Sequence, residues 1–323
     1  MINTPDKLPL ISVLDAATLG SDLDLSPLDG VGNVTVYQNT SPDEIPARIA
    51  DAEICLINKV KLGEPVLKDA KNLKLICIFA TGYDNIDVAY CRSRGIAVCN
   101  VVGYSTDSVA QLTAGMALYL AGHMYEYTEA VRSGRYSAGS TANILTPVYH
   151  ELAGKTWGIA GYGNIGKKVG AVASALSCRI IAHKRTPDSS VECVDMDTLC
   201  RESDIISAHF PLNDATRGIF SAERIAMMKP GAIFINVARG AVADEAALAA
   251  AVSSGRLGGL GIDVYSREPF TEDHPFYAIK SLPNVCLTPH MAWGSAEARK
   301  RCLDEIILNI GAFYRGEKRC RVD

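Results

Sequence analysis

Short runs of aliphatic and β-branched residues alternate with stretches of helical spacing along nearly the whole chain. In the first third the apolar runs are residues 10–14, 34–37, 55–58, 75–79 and 96–99, each of strand length. Between them, residues 42–52, opened by Ser41, and residues 87–94 are spaced as helices. A β-α-β alternation of this kind predicts a parallel sheet. A long apolar stretch, residues 108–121, predicts a helix after the loop at 103–107, and residues 134–147 read as loop. The alternation then resumes with strands at 156–160, 179–182, 205–209, 232–236, 260–263 and 285–287, and a helix at 164–176, enough for a second, doubly wound sheet. Residues 295–314 carry Ala298, Cys302, Ile306 and Ile310 four apart, a helical stripe expected to fold back on the first domain.

A length of 323 residues fits two domains. The formal net charge is -4 and lysines and arginines form no long run, which argues against nucleic-acid binding. No apolar stretch has the length of a membrane span, and residues 1–10 lack a basic region followed by an apolar core, so the chain reads as soluble and unexported. Of ten cysteines most sit singly in apolar segments, as Cys55, Cys77, Cys99, Cys178 and Cys286 do, and no pair has zinc-finger spacing. They are expected as small buried hydrophobes in a reducing cytoplasm, with no metal.

Chemistry enters with Gly161-Tyr162-Gly163-Asn164-Ile165-Gly166, which follows a strand and leads into a helix. The first glycine permits the tight turn, the second lets backbone N–H groups approach a pyrophosphate, and the third lets helix and strand pack closely. The helix N-terminus adds partial positive charge. Active sites of open α/β sheets form beyond the carboxyl ends of strands. Three residues so placed are Arg239, Glu268 and His290. A fixed cation, a carboxylate and an imidazole make a complete set for reducing a 2-oxo acid: arginine holds a carboxylate bidentately and polarises the adjacent carbonyl, and imidazolium supplies the proton.

Further motifs stand in order along the chain: residues 80–87 (Ala-Thr-Gly-Tyr-Asp-Asn-Ile-Asp), His209-Phe210-Pro211-Leu212, Met228-Lys229-Pro230-Gly231, Asn236-Val237-Ala238-Arg239-Gly240, Gly261-Ile262-Asp263-Val264 with Glu268-Pro269, and Thr288-Pro289-His290. With the glycine motif they make the chain resemble the D-isomer-specific 2-hydroxyacid dehydrogenase family over nearly its whole length. The resemblance implies an α/β architecture of two doubly wound parallel-sheet domains, Rossmann- or flavodoxin-like, with the active-site cleft between them. The boundaries expected are residues 1–104 plus 296–323 for a discontinuous substrate-binding domain and 105–295 for the dinucleotide-binding domain. It implies that Arg239 binds and polarises substrate, that Glu268 orients and charges His290, and that His290 is the acid/base. Backbone amides near Thr81 and Gly82 would hold the substrate carboxylate, with Asn58 and Lys59 lining the cleft. Cofactor contacts are expected at Gly161, Gly163, Asn164, Ile165, Gly166, His183, Lys184, Arg185, Pro211, Thr216, Ala238, Arg239, Asp263 and His290, with Asp263 at the nicotinamide end. The apolar helix at 108–121 is expected at the two-fold interface of a homodimer.

Residues 103–110 and His290-Met291-Ala292-Trp293-Gly294-Ser295 resemble the glycerate dehydrogenase, or hydroxypyruvate reductase, branch more than the phosphoglycerate branch. Formate dehydrogenases carry Gln where this chain has Glu268, and relatives usually carry Glu where it has Gln111. The expected reaction is NAD(P)H-dependent reduction of a small 2-oxo acid, hydroxypyruvate or glyoxylate. The alternatives are oxidation of phosphoglycerate or another D-2-hydroxyacid, and a dinucleotide-sensing binding protein similar to C-terminal-binding corepressors. The second strand of the nucleotide domain ends in His183-Lys184-Arg185, without the acidic residue that hydrogen-bonds a ribose 2′-hydroxyl. Two cations where a 2′-phosphate would lie predict NADP in preference to NAD.

Overall fold

The computed structural model describes residues 8–187 and 189–323. The chain divides into two compact units, residues 1–105 with 294–323, and residues 106–293.

The first unit runs β1 (Leu10–Val13), β2 (Asn33–Val36), α1 (Ile45–Ile49), β3 (Ile54–Ile57), α2 (Glu64–Leu67), β4 (Leu75–Ile78), α3 (Val88–Ser93) and β5 (Ala97–Cys99). Its strands are all parallel, in the order β2-β1-β3-β4-β5. That is the flavodoxin-like winding. Strands β3 and β4 are buried along their whole length. A strand covered on both faces has no solvent side to alternate with, which is why these segments read as unbroken apolar runs. Helix α1 is shorter than the 42–52 expected. Pro46 has no N–H to bond back into a preceding turn, so it stands in the first turn of the helix and cannot be in its interior. Ser41 closes a separate turn, its N–H and hydroxyl both donating to Glu44 Oε2, at 2.8 and 2.7 Å.

The second unit runs α4 (Thr106–Ala121), α5 (Met124–Arg132), β6 (Thr156–Ala160), α6 (Asn164–Ala175), β7 (Arg179–His183), β8 (Glu192–Cys193), α7 (Met196–Glu202), β9 (Ile205–Ala208), α8 (Ala222–Met227), β10 (Ala232–Asn236), α9 (Glu245–Ser253), β11 (Leu257–Ile262) and β12 (Val285–Leu287). Its parallel sheet has the order β12-β11-β10-β9-β6-β7-β8. The winding reverses between β6 and β9, and such a reversal opens a crevice at the carboxyl ends of the two strands. Helix α4 buries Val109, Ala110, Met116, Ala117 and Leu120. Gly259 and Gly261 of β11 make room for it, since a Cβ on either would stand 3.1 Å from Leu120 Cβ or 3.2 Å from Met116 Sδ. The apolar run of α4 is therefore largely absorbed inside its own unit, leaving Leu118 at 47 % exposure. Its apolar character is not in itself a reason for a subunit interface. Large exposed apolar residues gather further on, at Tyr125, Val131, Tyr136, Leu145, Val148 and Tyr149.

The chain ends in α10 (Ala296–Tyr314), part of the first unit. Ser295 caps it by accepting from the Ala298 N–H, and Ala298, Cys302, Ile306 and Ile310 are buried as their spacing predicts. Beyond it Asp323 Oδ1 accepts from the Val98 N–H at 2.7 Å. Cys99 forms an antiparallel bridge with Arg321, so strand β5 is sealed by the far end of the sequence.

Candidate active site

The glycine motif lies at the carboxyl end of β6 and opens α6. Gly161 has φ +102°, and a Cβ there would stand 2.8 Å from the carbonyl carbon of His209, at the end of β9. Gly166 faces the Gly161 carbonyl oxygen, 2.2 Å from where its Cβ would be. Gly163 is different: a Cβ there would meet nothing within 4 Å. The two outer glycines permit backbone contact, while the middle one leaves open space at the N-terminus of a twelve-residue helix. Open space, backbone N–H groups and a positive helix end suit an anionic diphosphate. Among the described residues His209 Nδ1 is buried without a hydrogen-bond partner. Its Nε2 lies 3.0 Å from Ser207 Oγ, which accepts from Trp157 Nε1 at 3.0 Å. Burial alone holds the His209 imidazole down at about 3, so it is neutral.

Arg239 follows β10 and is half-buried. The Asn236 side chain shapes its turn, donating to the Arg239 carbonyl at 2.8 Å and accepting from the Ala238 N–H at 3.0 Å. Arg239 Nη1 donates to the Ala238 carbonyl at 2.8 Å. Glu268 follows β11, and His290 follows β12. The structure brings these last two together: Glu268 Oε2 lies 2.6 Å from His290 Nδ1, and Oε1 accepts from the Tyr265 N–H at 3.0 Å. A carboxylate only accepts, so His290 Nδ1 carries the hydrogen.

His290 stands at φ +53°, a left-handed conformation that a side chain other than glycine holds only when its surroundings impose it. Asp263 imposes it. Its carboxylate is 1 % exposed and accepts from the Thr288 hydroxyl at 2.6 Å, the Met291 N–H at 2.8 Å and the Ala292 N–H at 2.9 Å. Burial pushes this carboxyl up, against the opposing pull of the three hydrogen bonds and of His290. Trp293 Nε1 donates to the His290 carbonyl at 3.0 Å, closing the turn from the other side.

Other expected residues divide into those engaged with their own loop and those facing outward. His183 donates from Nδ1 to the Val194 carbonyl at 3.0 Å, with Lys184 half-buried and Arg185 exposed beyond it. Thr216 is buried, its hydroxyl donating to the Pro211 carbonyl at 2.6 Å. In the first unit Asn58 is 3 % exposed and donates to Thr18 Oγ1 at 3.0 Å, so its side chain supports a loop and does not line a surface. Lys59 is exposed. Thr81 hydrogen-bonds through its side chain to the Val101 carbonyl at 2.7 Å. Among the described residues the N–H groups of Thr81 and Gly82 have no hydrogen-bond acceptor. Sequence reading passed over Asp15, which accepts from the N–H groups of Asn58, Lys59 and Val60 at 2.9, 2.5 and 3.0 Å. Its signal was its place, directly beyond the apolar run of β1.

Comparison with known proteins bears on this geometry. Residues 114–292 match the family model described as D-isomer specific 2-hydroxyacid dehydrogenase, NAD binding domain. The chain is 37 % identical to a glycerate dehydrogenase of Methylorubrum extorquens, over 87 % of this chain and 89 % of that one. It is 35 % identical to a hydroxypyruvate reductase of Blautia hydrogenotrophica, over 95 % and 97 %. Among solved structures, a D-lactate dehydrogenase of Aquifex aeolicus complexed with NAD and lactic acid superposes with TM-score 0.83 at 28 % identity, covering 95 % of this chain and 96 % of that one.

Proposed function

The chain belongs to the D-isomer-specific 2-hydroxyacid dehydrogenase family, and from that premise we propose that it reduces hydroxypyruvate and glyoxylate to D-glycerate and glycolate, with NADPH preferred to NADH. The observation that carries the reading is the 2.6 Å contact between Glu268 and His290, in the same unit as the open glycine turn and Arg239.

When bound at the glycine turn and the N-terminus of α6, the dinucleotide supplies the hydride. Arg239 pairs with the substrate carboxylate and polarises the neighbouring carbonyl. His290 gives the proton from Nε2 to the carbonyl oxygen, because Nδ1 is committed to Glu268. The Glu268 carboxylate keeps the ring in that orientation and offsets its positive charge. Lys184 and Arg185, beyond β7, would pair with the 2′-phosphate of NADP. His183, Pro211, Thr216 and Ala238 would hold the dinucleotide, and Asp263 would act on it through the His290 turn.

The names of two relatives, glycerate dehydrogenase and hydroxypyruvate reductase, support the small substrate. Steady-state kinetics with hydroxypyruvate, glyoxylate, pyruvate, phenylpyruvate and phosphohydroxypyruvate test it. Highest kcat/KM with either of the last two overturns the substrate assignment. The same reading makes the protein a cytoplasmic homodimer. Seven buried cysteines, none of them in a disulfide, suit a reducing compartment. The exposed apolar residues between Tyr125 and Tyr149 suit a subunit contact. Sedimentation showing only monomer at micromolar concentration rejects the dimer.

A further inference from the structure

Glu245 opens α9, and its side chain is only 9 % exposed although the chemistry above makes no use of it. A carboxylate buried this far is unfavourable unless donors fill its lone pairs. Ser266 and His274 do so. The Ser266 N–H donates to Oε1 at 2.8 Å and the Ser266 hydroxyl to Oε2. His274 Nε2 lies 3.0 Å from Oε2. The Phe276 N–H donates to His274 Nδ1 at 3.2 Å, so Nδ1 accepts and the hydrogen is on Nε2, directed at Glu245. The rings of Phe270 and Phe276 flank the imidazole at centroid distances of 5.1 and 5.2 Å. The carboxylate thus grips Ser266 from a dry, aromatic-lined base.

Ser266 belongs to the turn that delivers Glu268. Residues 266–269 are exposed and have no core of their own to fix them. The turn is held at other points: the Tyr265 N–H meets Glu268 Oε1, and the Tyr265 hydroxyl donates to the Thr288 carbonyl at 2.9 Å, two residues before His290. Behind it lies Gly240, the neighbour of Arg239. A Cβ on Gly240 would stand 2.0 Å from the Tyr265 carbonyl carbon and 2.1 Å from the Ser266 nitrogen. The Glu268 turn is therefore pressed onto the Arg239 turn on one face and tied to Glu245 through Ser266.

We propose that Glu245, backed by His274, is a positioning residue for the reduction, holding Ser266 so that Glu268 reaches His290. The proposal rests on the roles given above to Glu268 and His290. Misplacing a reacting group by about 1 Å can cost up to roughly a hundredfold in rate. Glu245→Gln, which keeps the size but turns one acceptor into a donor, is expected to lower kcat about tenfold and to leave the dissociation constant of NADPH, read by fluorescence titration, within about twofold.

A double-mutant cycle with Glu268→Gln separates positioning from general damage. If Glu245 works through Glu268, the double variant is no more than about twofold slower than Glu268→Gln alone. Multiplied losses overturn the proposal, as does weakened NADPH binding matching the loss of kcat. If Glu268→Gln by itself leaves kcat unchanged, the reading of Glu268 fails first, and that result is distinct from a cycle that multiplies. Should Glu245→Gln not fold, Ser266→Ala removes one of the same contacts from an exposed position. It is expected to lower kcat about threefold, again without a further loss in the Glu268→Gln background, and unchanged kcat overturns the proposal.

Discussion

Asp263 Oδ1 lies 2.8 Å from the amide nitrogen of Met291, so the residue that follows His290 is fastened to the carboxyl end of β11, the strand that pairs with β12. Asp263→Asn exchanges one acceptor for an N–H₂ and leaves either the Met291 or the Ala292 N–H facing a donor. An unsatisfied buried group costs roughly 1–3 kcal/mol. A lower melting temperature is expected together with a fall in kcat of about tenfold or more as the left-handed turn relaxes. Native kcat in the variant would show that the His290 turn holds without Asp263.

Glu268→Gln retains the contact with the Tyr265 N–H but removes the negative charge beside His290. With the Tyr265 contact kept, the new amide N–H₂ faces the hydrogen on His290 Nδ1, so the ring is no longer held with Nε2 free for substrate, and kcat is expected to fall about tenfold or more. His290→Ala loses general acid catalysis outright, roughly a hundredfold or more in kcat. Steady-state kcat of both variants decides the matter, and a kcat unchanged by Glu268→Gln contradicts the assignment.

Lys184→Asp places a negative charge where the NADP 2′-phosphate is expected. A charge-assisted contact contributes roughly 1.5–3 kcal/mol, about tenfold or more in kcat/KM for NADPH, with a much smaller effect for NADH. A wild-type enzyme that already prefers NADH refutes the cofactor reading.

His209 gives the fold a sensitivity to acid. Its imidazole is held at about 3 when folded, against an ordinary value of 6.5. As pH falls below about 6.5 the unfolded chain takes up the proton first, so stability present at neutral pH is lost progressively towards pH 3. By pH 4 this one group contributes a loss of about 3 kcal/mol. His209→Gln is expected to be less stable than wild type at pH 8 but to show a shallower decline in melting temperature between pH 7 and 4. Parallel declines in the two proteins would show that another group controls the acid limb.

The strands were legible because parallel strands covered on both faces are apolar nearly throughout, as residues 54–57 and 232–235 are. Strand β11 begins three residues earlier than the apolar signal at Leu260, because Gly258 and Gly259 carry no side chain to show burial. What demands glycine is external to the strand: the Gly231 carbonyl and Leu120 of α4 crowd those two positions. Helices α7, α8 and α9 span only seven, six and nine residues, and two of them show their caps, Asp195 and Asp244, more plainly than their periodicity. Arg239, Glu268 and His290 could be picked out because each stands within a few residues of the carboxyl end of a strand. Glu245 could not, since it reads as an ordinary acidic first turn of a helix until Ser266 and His274 are seen beside it.

The first unit is interrupted between residues 105 and 294, and this has a consequence for how the protein is made. On a growing chain β1 to β5 emerge early, yet α10, whose apolar stripe belongs to that unit, follows only after all of the second unit has been synthesised. Residues 106–293 are contiguous and can close on themselves as they appear. The apolar strands β3 and β4 must wait, exposed for the time it takes to translate the insertion, and waiting apolar strands are prone to aggregate. The demand for chaperone protection during synthesis therefore falls on the early sheet, whose helix α10 is made only after the whole second unit.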